Sequence, residues 1–174
     1  SGGHKGQFPD GVVTVVTCPR QEAELLLAPP DVKGITFVGS TDVGRHIYAT
    51  AAANGKRVQA LCEAKNHALV LRDAPIVRTA AGIMNSAFGC AGERCMALPA
   101  IAVQESIADE LVAEILRQVK EKKVGPAYDK TTDLGPVVTA EHRQWVLDWI
   151  QKGVDEGAKL ILDGRDVKVP GYEK

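Results

Sequence analysis

Short runs rich in β-branched residues alternate with helix-like segments along this chain, and that alternation limits the possible folds more than any other feature. Residues 35–38 form one such run. A glycine-bounded turn follows over residues 39–44, and an alanine-rich helical pattern over residues 45–54 ends at Gly55. A strand, a tight turn and a helix in this order are typical of parallel sheets with helical crossovers. The pattern predicts an α/β fold with a doubly wound parallel sheet.

The rest of the chain continues this alternation. An apolar stripe at four-residue steps, from Ile107 to Val119, indicates a helix that packs on a core. Trp145 and Trp149 lie beside the apolar face of a later helix, whose N-cap is Thr139, and we interpret both as packing residues. The predicted strands are 12–16, 56–61, 68–71, 100–103 and 159–162, and the other predicted helices are 21–27, 76–88 and 106–122.

Composition narrows the classes of function. The 21 basic and 22 acidic residues leave a net charge of −1, which gives no general attraction to nucleic acid or membranes and favours a small-molecule substrate. No apolar run approaches the roughly 18 residues of a membrane helix. Four cysteines at irregular spacing, without a secretory segment before them, indicate a reduced compartment, so we expect a cytoplasmic protein, or one of the mitochondrial matrix if its source is a eukaryote.

Cys95 is the candidate nucleophile because it directly follows Arg94. A thiol reacts as the thiolate, which nearby positive charge or a helix N-terminus stabilises. Arg94 and the backbone N–H groups after Gly92 are candidates for both contributions. The alternative is a buried Cys95 that acts as a small hydrophobic residue. Cys90 either protects Cys95 through a disulfide or packs at a helix end, and the spacing of the two cysteines predicts no metal site.

Residues 39–44, Gly-Ser-Thr-Asp-Val-Gly, lie at a predicted strand-to-helix junction. Backbone N–H groups and the positive end of a helix dipole can meet a phosphate at such a place. The alternative is that the glycines are needed only for their backbone angles. The segment lacks the spacing of the G-x-G-x-x-G dinucleotide motif.

Three segments in this order resemble the aldehyde dehydrogenase superfamily: Pro-Asp-Gly-Val-Val-Thr-Val-Val at 9–16, Ile-Thr-Phe-Val-Gly-Ser-Thr-Asp-Val-Gly at 35–44, and the cysteine segment 88–98. Within the superfamily, four further stretches are similar to the methylmalonate-semialdehyde dehydrogenases. These are Ala-Lys-Asn-His at 64–67, Gly-Glu-Arg-Cys-Met-Ala at 92–97, Leu-Gly-Pro-Val-Val at 134–138, and Asp-Gly-Arg at 163–165 with Gly-Tyr-Glu at 171–173. The resemblance runs nearly end to end and implies three-layer sheets of an aldehyde-dehydrogenase-like fold.

The resemblance also implies a reaction. Cys95 attacks the aldehyde carbon of methylmalonate or malonate semialdehyde, hydride passes to NAD, and coenzyme A takes the acyl group from a cysteine thioester. Arg94 binds the substrate carboxylate, unless it serves a structural ion pair. The residues implied in contact with NAD are Gly39, Ser40, Gly44 and Cys62. Among the histidines, only His67 is a candidate to border the site.

The chain departs from the superfamily at two positions. Hydrolytic members carry a general-base glutamate four residues before the lysine that matches Lys65, and here that residue is Leu61, which favours CoA over water. Glu63 stands where the family has glycine, so it is either a displaced acid/base or a solvated or ion-paired carboxylate. Cys62 is alternatively a second, non-catalytic thiol near the site.

The resemblance further implies a fragment. Residues 1–63 are expected to be the second part of an NAD-binding domain and residues 64–174 the first part of a catalytic domain, without the family's oxyanion-hole and ribose-binding segments. We therefore expect the isolated chain to be inactive and the full-length protein to be a homo-oligomer. Two alternatives stay open: a non-acylating dehydrogenase that forms the free acid, and a folding or oligomerisation module without catalysis.

Overall fold

The computed structural model describes residues 9–172 of the 174-residue chain. The chain divides into two compact units, Ser1–Glu63 and Ala64–Lys174. Each unit contains one pair of parallel strands joined by a helical crossover, as parallel pairing requires. The predicted α/β architecture is therefore confirmed. Glu173, from the last segment of the resemblance, lies outside the described residues.

The first unit is built on strand β1 (Gly34–Val38), helix α2 (Thr41–Ala53) and strand β2 (Arg57–Leu61). The short helix α1 (Arg20–Ala23), continued by the 3₁₀ turn Glu24–Leu26, precedes them. In the parallel register, Gly34 pairs with Arg57 and Val38 with Leu61.

A buried lysine ties the loop before β1 to this unit. Gly55, with a φ of 72°, ends α2 in the left-handed conformation that glycine adopts freely. Lys56 follows and is only 7% exposed. Its Nζ donates to the carbonyl oxygens of Pro29 and Val32, the latter at 2.8 Å. These bonds compensate for burial of the charge.

The second unit follows the same plan. Strand β3 (His67–Val70), helix α3 (Ile76–Phe88) and strand β4 (Ala100–Val103) form the crossover, and His67 pairs with Ala100. A 3₁₀ turn, Gly89–Gly92, follows α3. Helices α4 (Glu105–Val119) and α5 (Ala140–Asp155) complete the unit. Thr139 caps α5 as predicted, because its Oγ1 accepts a hydrogen bond from the backbone N–H of His142 at 3.1 Å.

The core of this unit lies between α3, α4 and the strand pair. Its buried residues are Val70, Ala80, Ile83 and Leu111, and Leu111 is only 1% exposed. Ile107 and Ile115, from the predicted apolar stripe, pack against this cluster. The stripe is thus confirmed as the face of α4 that covers the core. The side chain of Leu69, by contrast, is 78% exposed.

Two predicted strands and one packing prediction were wrong. Residues 12–16 and 159–162 form no strand, and among residues 9–172 neither segment has a partner strand to receive its backbone hydrogen bonds. Trp145 and Trp149 are 56% and 52% exposed rather than packed in the core. Helix α2 also begins four residues before the predicted start, so Gly44 lies inside the helix.

No helix in the described part of the chain is long and apolar enough to cross a membrane.

An ion pair on α4 predicts a pH dependence of stability. Arg117 and Gln118 donate hydrogen bonds to Glu114, and the bond from Arg117 is the main reason that the pKa of Glu114 falls from 4.5 to about 2. A carboxylate whose pKa is lowered by folding stabilises the folded state at pH values above its pKa in the unfolded chain. This contribution disappears as the pH falls through its pKa in the folded state. We expect Glu114→Gln to flatten the pH dependence of the unfolding temperature between about 4.5 and 2. The exposed Glu110, changed to Gln, is the control; equal effects of the two changes would contradict the assignment.

Candidate functional site

The four residues predicted to contact a cofactor lie together in the first unit. Because β1 and β2 are parallel, their carboxyl ends meet at one edge, and the N–H of Gly39 donates to the carbonyl of Leu61 at 3.1 Å. Ser40 is the N-cap residue of α2, and Cys62 directly follows β2. The carboxyl edge of parallel strands is where α/β proteins usually bind ligands. The topology therefore brings Gly39, Ser40, Gly44 and Cys62 to a position suited to binding.

The glycines of this segment are required for space and not for backbone angles. Neither Gly39 nor Gly44 has a positive φ. A Cβ added to Gly39 would lie 2.5 Å from Cζ of Phe37, and one added to Gly44 would lie 2.4 Å from Sγ of Cys62. The interpretation based on backbone angles is therefore wrong. Both residues must be small because the side chains of Phe37 and Cys62 occupy the space that a Cβ would take.

The amino end of α2 binds a carboxylate oxygen. The carboxylate of Glu63 accepts hydrogen bonds from Oγ1 of Thr41 at 2.7 Å and from its backbone N–H at 3.4 Å. The hydroxyl of Ser40 makes no capping hydrogen bond. Glu63 is therefore an exposed carboxylate held at the helix end by hydrogen bonds, and no ion pair to it forms within residues 9–172.

The cysteine segment of the second unit has an unusual backbone. Cys90 and Ala91 have φ values of 52° and 54°, in the left-handed region that side chains rarely adopt, and Gly92 follows with 74°. A β-turn then spans Arg94 to Ala97, closed by a bond of 2.9 Å from the Ala97 N–H to the Arg94 carbonyl. We call this four-residue segment the cysteine turn. Consecutive left-handed residues are costly and are typical of functional segments.

Cys95 is exposed on this turn, so it is not the buried hydrophobic residue of the alternative interpretation. Cys90 is also exposed and free, which excludes its packing at the helix end in this chain. No helix begins at Cys95, because the residues after it lead through a turn and a loop to β4. The predicted contribution of a helix N-terminus is therefore wrong, and Arg94 remains the charge adjacent in sequence.

Arg94 crosses the end of α3. Its Nη2 donates to the carbonyl of Asn85, in the last turn of the helix, at 2.7 Å. A Cβ on Gly89 would lie 2.0 Å from the same nitrogen, so the guanidinium requires glycine there. Helix carbonyls near the carboxyl end lack intrahelical partners, and cations stabilise them. Arg94 is thus anchored by a structural bond, and no residue in the range 9–172 bonds to its Nε or Nη1.

A second contact joins the cysteine segment to α5. Glu93 and His142 lie 3.1 Å apart, measured from Oε1 to Nε2. The imidazole of His142 also stacks on Trp145 at 5.6 Å between ring centroids. His67, the one histidine predicted to border the site, begins β3 and contacts the carbonyl of Lys65 through Nδ1 at 2.8 Å.

Sequence reasoning missed Asn66. Its Nδ2 donates to the carbonyl of Cys95 at 2.8 Å and to that of Ala97 at 3.0 Å. The residue belongs to the segment 64–67 that carries the resemblance, but no local pattern connects it to a turn 29 residues away. The signal that could have found it is the pairing of β3 with β4, which brings the residues before both strands together.

The comparisons with known proteins agree with this architecture. The model of the aldehyde dehydrogenase family matches residues 4–174, and the chain belongs to that family. Malonate-semialdehyde dehydrogenase 1 of Oceanobacillus iheyensis is 42% identical over 165 residues, which are 95% of this chain and 34% of that protein. The chain thus spans about a third of the length of such relatives.

Solved structures give the same result. The methylmalonate-semialdehyde dehydrogenase of Oceanimonas doudoroffii is 43% identical, with a TM-score of 0.83 over 88% of this chain and 32% of that one. The betaine aldehyde dehydrogenase of Staphylococcus aureus, in complex with NAD⁺, is 28% identical, with a TM-score of 0.74 over 80% of this chain and 28% of the other. The predicted aldehyde-dehydrogenase-like fold is confirmed.

Because Sγ of Cys62 lies close to Gly44, we predict that Gly44→Ala lowers the free energy of unfolding when Cys62 is present but not when Cys62 is replaced by alanine. Gly44→Ala should gain about 0.5–1 kcal/mol from helix propensity but lose about 1–3 kcal/mol because the new methyl group meets Sγ of Cys62. The single variant should therefore unfold more easily. In a Cys62→Ala background the same change should be neutral or stabilising. Denaturant unfolding measures all four proteins, and equal destabilisation in both backgrounds would contradict the packing account.

Proposed function

We propose that the full-length gene product oxidises methylmalonate or malonate semialdehyde with NAD and transfers the acyl group to coenzyme A. The observation that carries this proposal is the exposed Cys95 on a turn that is hydrogen-bonded to the rest of its unit. The names of the relatives, malonate- and methylmalonate-semialdehyde dehydrogenases, support the class of substrate.

Cys95 is the proposed nucleophile. Its thiolate adds to the aldehyde carbon and forms a C–S bond, which leaves the former carbonyl oxygen as a hydroxyl after protonation. Oxidation of this adduct to a thioester on Cys95 releases a proton and a hydride, and NAD⁺, when bound, would supply the hydride acceptor. The thiolate of coenzyme A then displaces the Cys95 thiolate from the acyl carbon. The enzyme returns to its starting form.

Arg94 is the proposed partner of the substrate carboxylate. A guanidinium binds a carboxylate through two parallel N–H donors on neighbouring nitrogens, and the bond to the Asn85 carbonyl uses one of the two Nη2 hydrogens, so that the other is left to pair with Nε or Nη1 for that contact. The same bond fixes the direction of the side chain. The structural role of Arg94 and a substrate role are therefore compatible.

The amino end of α2 is the proposed place for NAD, with contacts from Gly39, Ser40, Gly44 and Cys62. The proposal is supported by the Glu63 carboxylate at Thr41, because a helix end that binds one anionic oxygen is suited to another, such as a phosphate oxygen of NAD. The hydroxyl of Ser40 is a further donor there. On this proposal, residues 1–63 belong to the NAD-binding domain and residues 64–174 to the catalytic domain.

Deacylation by coenzyme A is proposed because the position of a general base for water holds an apolar residue. Leu61 ends β2, and its side chain carries no titratable group. The Oε2 atom of the nearby Glu63 is directed to the amino end of α2 by its hydrogen bonds from Thr41.

A product assay tests the proposal. We expect the full-length gene product to form NADH and an acyl-CoA from methylmalonate or malonate semialdehyde when CoA is present. Without CoA, we expect turnover to stop after about one equivalent of NADH per active site, because the thioester is not hydrolysed. Mass spectrometry identifies the product and absorbance follows NADH. Sustained turnover to the free acid without CoA would establish the non-acylating alternative, and no NADH with either aldehyde would refute the activity.

A further inference from the structure

We propose that Asn66 is a positioning residue that fixes the direction of the Cys95 side chain. The inference rests on Cys95 being the reactive thiol of the proposed function. It adds a residue whose side-chain nitrogen donates hydrogen bonds to two backbone carbonyls of the cysteine turn and which has no place in the chemical steps above.

The direction of a Cα–Cβ bond is fixed when the two peptide planes beside it are fixed. For Cys95, the preceding plane carries the Arg94 carbonyl, which accepts the Ala97 N–H at 2.9 Å. The following plane carries the Cys95 carbonyl, which accepts one Nδ2 hydrogen of Asn66 at 2.8 Å. Each plane is therefore held at its oxygen. Loss of the Asn66 bond releases rotation of the second plane.

The second Nδ2 hydrogen holds the far end of the turn. It binds the carbonyl of Ala97, a residue that is 5% exposed. Since an amide nitrogen has two hydrogens, both donors of Asn66 are used within this one segment. The contacts tie an exposed cysteine to a buried anchor two residues later.

The need for a side-chain donor follows from the sequence before β4. The ladder begins with His67 and Ala100, so Asn66 and Pro99 come directly before it. Proline has no N–H and cannot extend a ladder of backbone hydrogen bonds. The amide of Asn66 supplies the hydrogen bonds in this region that the backbone does not.

The aspartate variant separates hydrogen bonding from packing. Asn66→Asp keeps the shape of the side chain but replaces both donors with acceptors that face carbonyl oxygens. The matched control is Asn54→Asp, which removes a similar bond, from Nδ2 to the carbonyl of Thr50 at 2.9 Å, in the first unit. If the change at Asn66 acted only through a general loss of stability, the two changes would be alike in their effect on Cys95.

The measurement is the alkylation rate of Cys95 relative to Cys90 with iodoacetamide in the full-length gene product. Trypsin cleavage after Arg94 places the two cysteines on separate peptides for mass spectrometry. We expect faster alkylation of Cys95 in the unchanged protein, a fall in the ratio of about tenfold in Asn66→Asp, and no change in Asn54→Asp. For turnover of the semialdehyde, kcat should fall roughly 10- to 100-fold while KM changes little.

The outcomes distinguish two failures. Equal alkylation of Cys95 and Cys90 in the unchanged protein would refute the nucleophile itself. Selective alkylation of Cys95 that persists in Asn66→Asp would refute the positioning role alone. If Asn66→Asp does not fold, Asn66→Ser replaces it, because its shorter side chain has one donor and not two, and an unchanged ratio in that folded variant also overturns the proposal.

Discussion

Parallel pairing of β3 with β4 is the constraint on which the cysteine site depends. Because the two strands start side by side, the residues before each of them meet at one edge, and Asn66 faces the backbone of the cysteine turn. The helix between the strands ends at Phe88, so its last carbonyls are within reach of Arg94. An exposed turn without regular secondary structure is thus held by the Asn66 side chain, which precedes β3, and by its own Arg94, which binds a backbone carbonyl of α3.

The first unit uses the opposite edge of a strand pair. There the carboxyl ends of β1 and β2 bring together the turn before α2 and the residues after β2. Tight packing of Phe37 and Cys62 explains the two glycines of that turn, and Glu63 binds the amino end of α2. In each unit the register of one strand pair determines which loop residues become neighbours.

Much of this organisation follows from the sequence. The period of the apolar residues predicted α3 and the core stripe of α4, and the strand–turn–helix pattern predicted the crossover around α2. These features depend on local propensity and amphipathicity. The strand predictions for residues 12–16 and 159–162 were wrong because a strand needs a partner strand, which local composition does not specify. The prediction that Trp145 and Trp149 pack in the core was wrong for a similar reason, since the burial of a helix residue depends on which other elements pack against that helix.

For the cysteine site, too, the sequence predicted only what depends on neighbouring residues in the chain. The sequence shows that Arg94 directly precedes Cys95. It does not show the hydrogen bond from Arg94 to the Asn85 carbonyl, nor the hydrogen bond from Asn66 to the Cys95 carbonyl. Contacts between residues far apart in the chain arise from topology. The pattern of residues suggested which groups are chemically active, whereas the structure shows how they are held.

The most direct measurement is the mass of the enzyme trapped during turnover. The full-length gene product would be mixed with methylmalonate semialdehyde and NAD in the absence of CoA, quenched in acid and digested with pepsin. The account predicts an acyl adduct, bound as a thioester, on the peptide that contains Cys95. An adduct on Cys18, Cys62 or Cys90, or formation of NADH with no adduct on any cysteine, would contradict it.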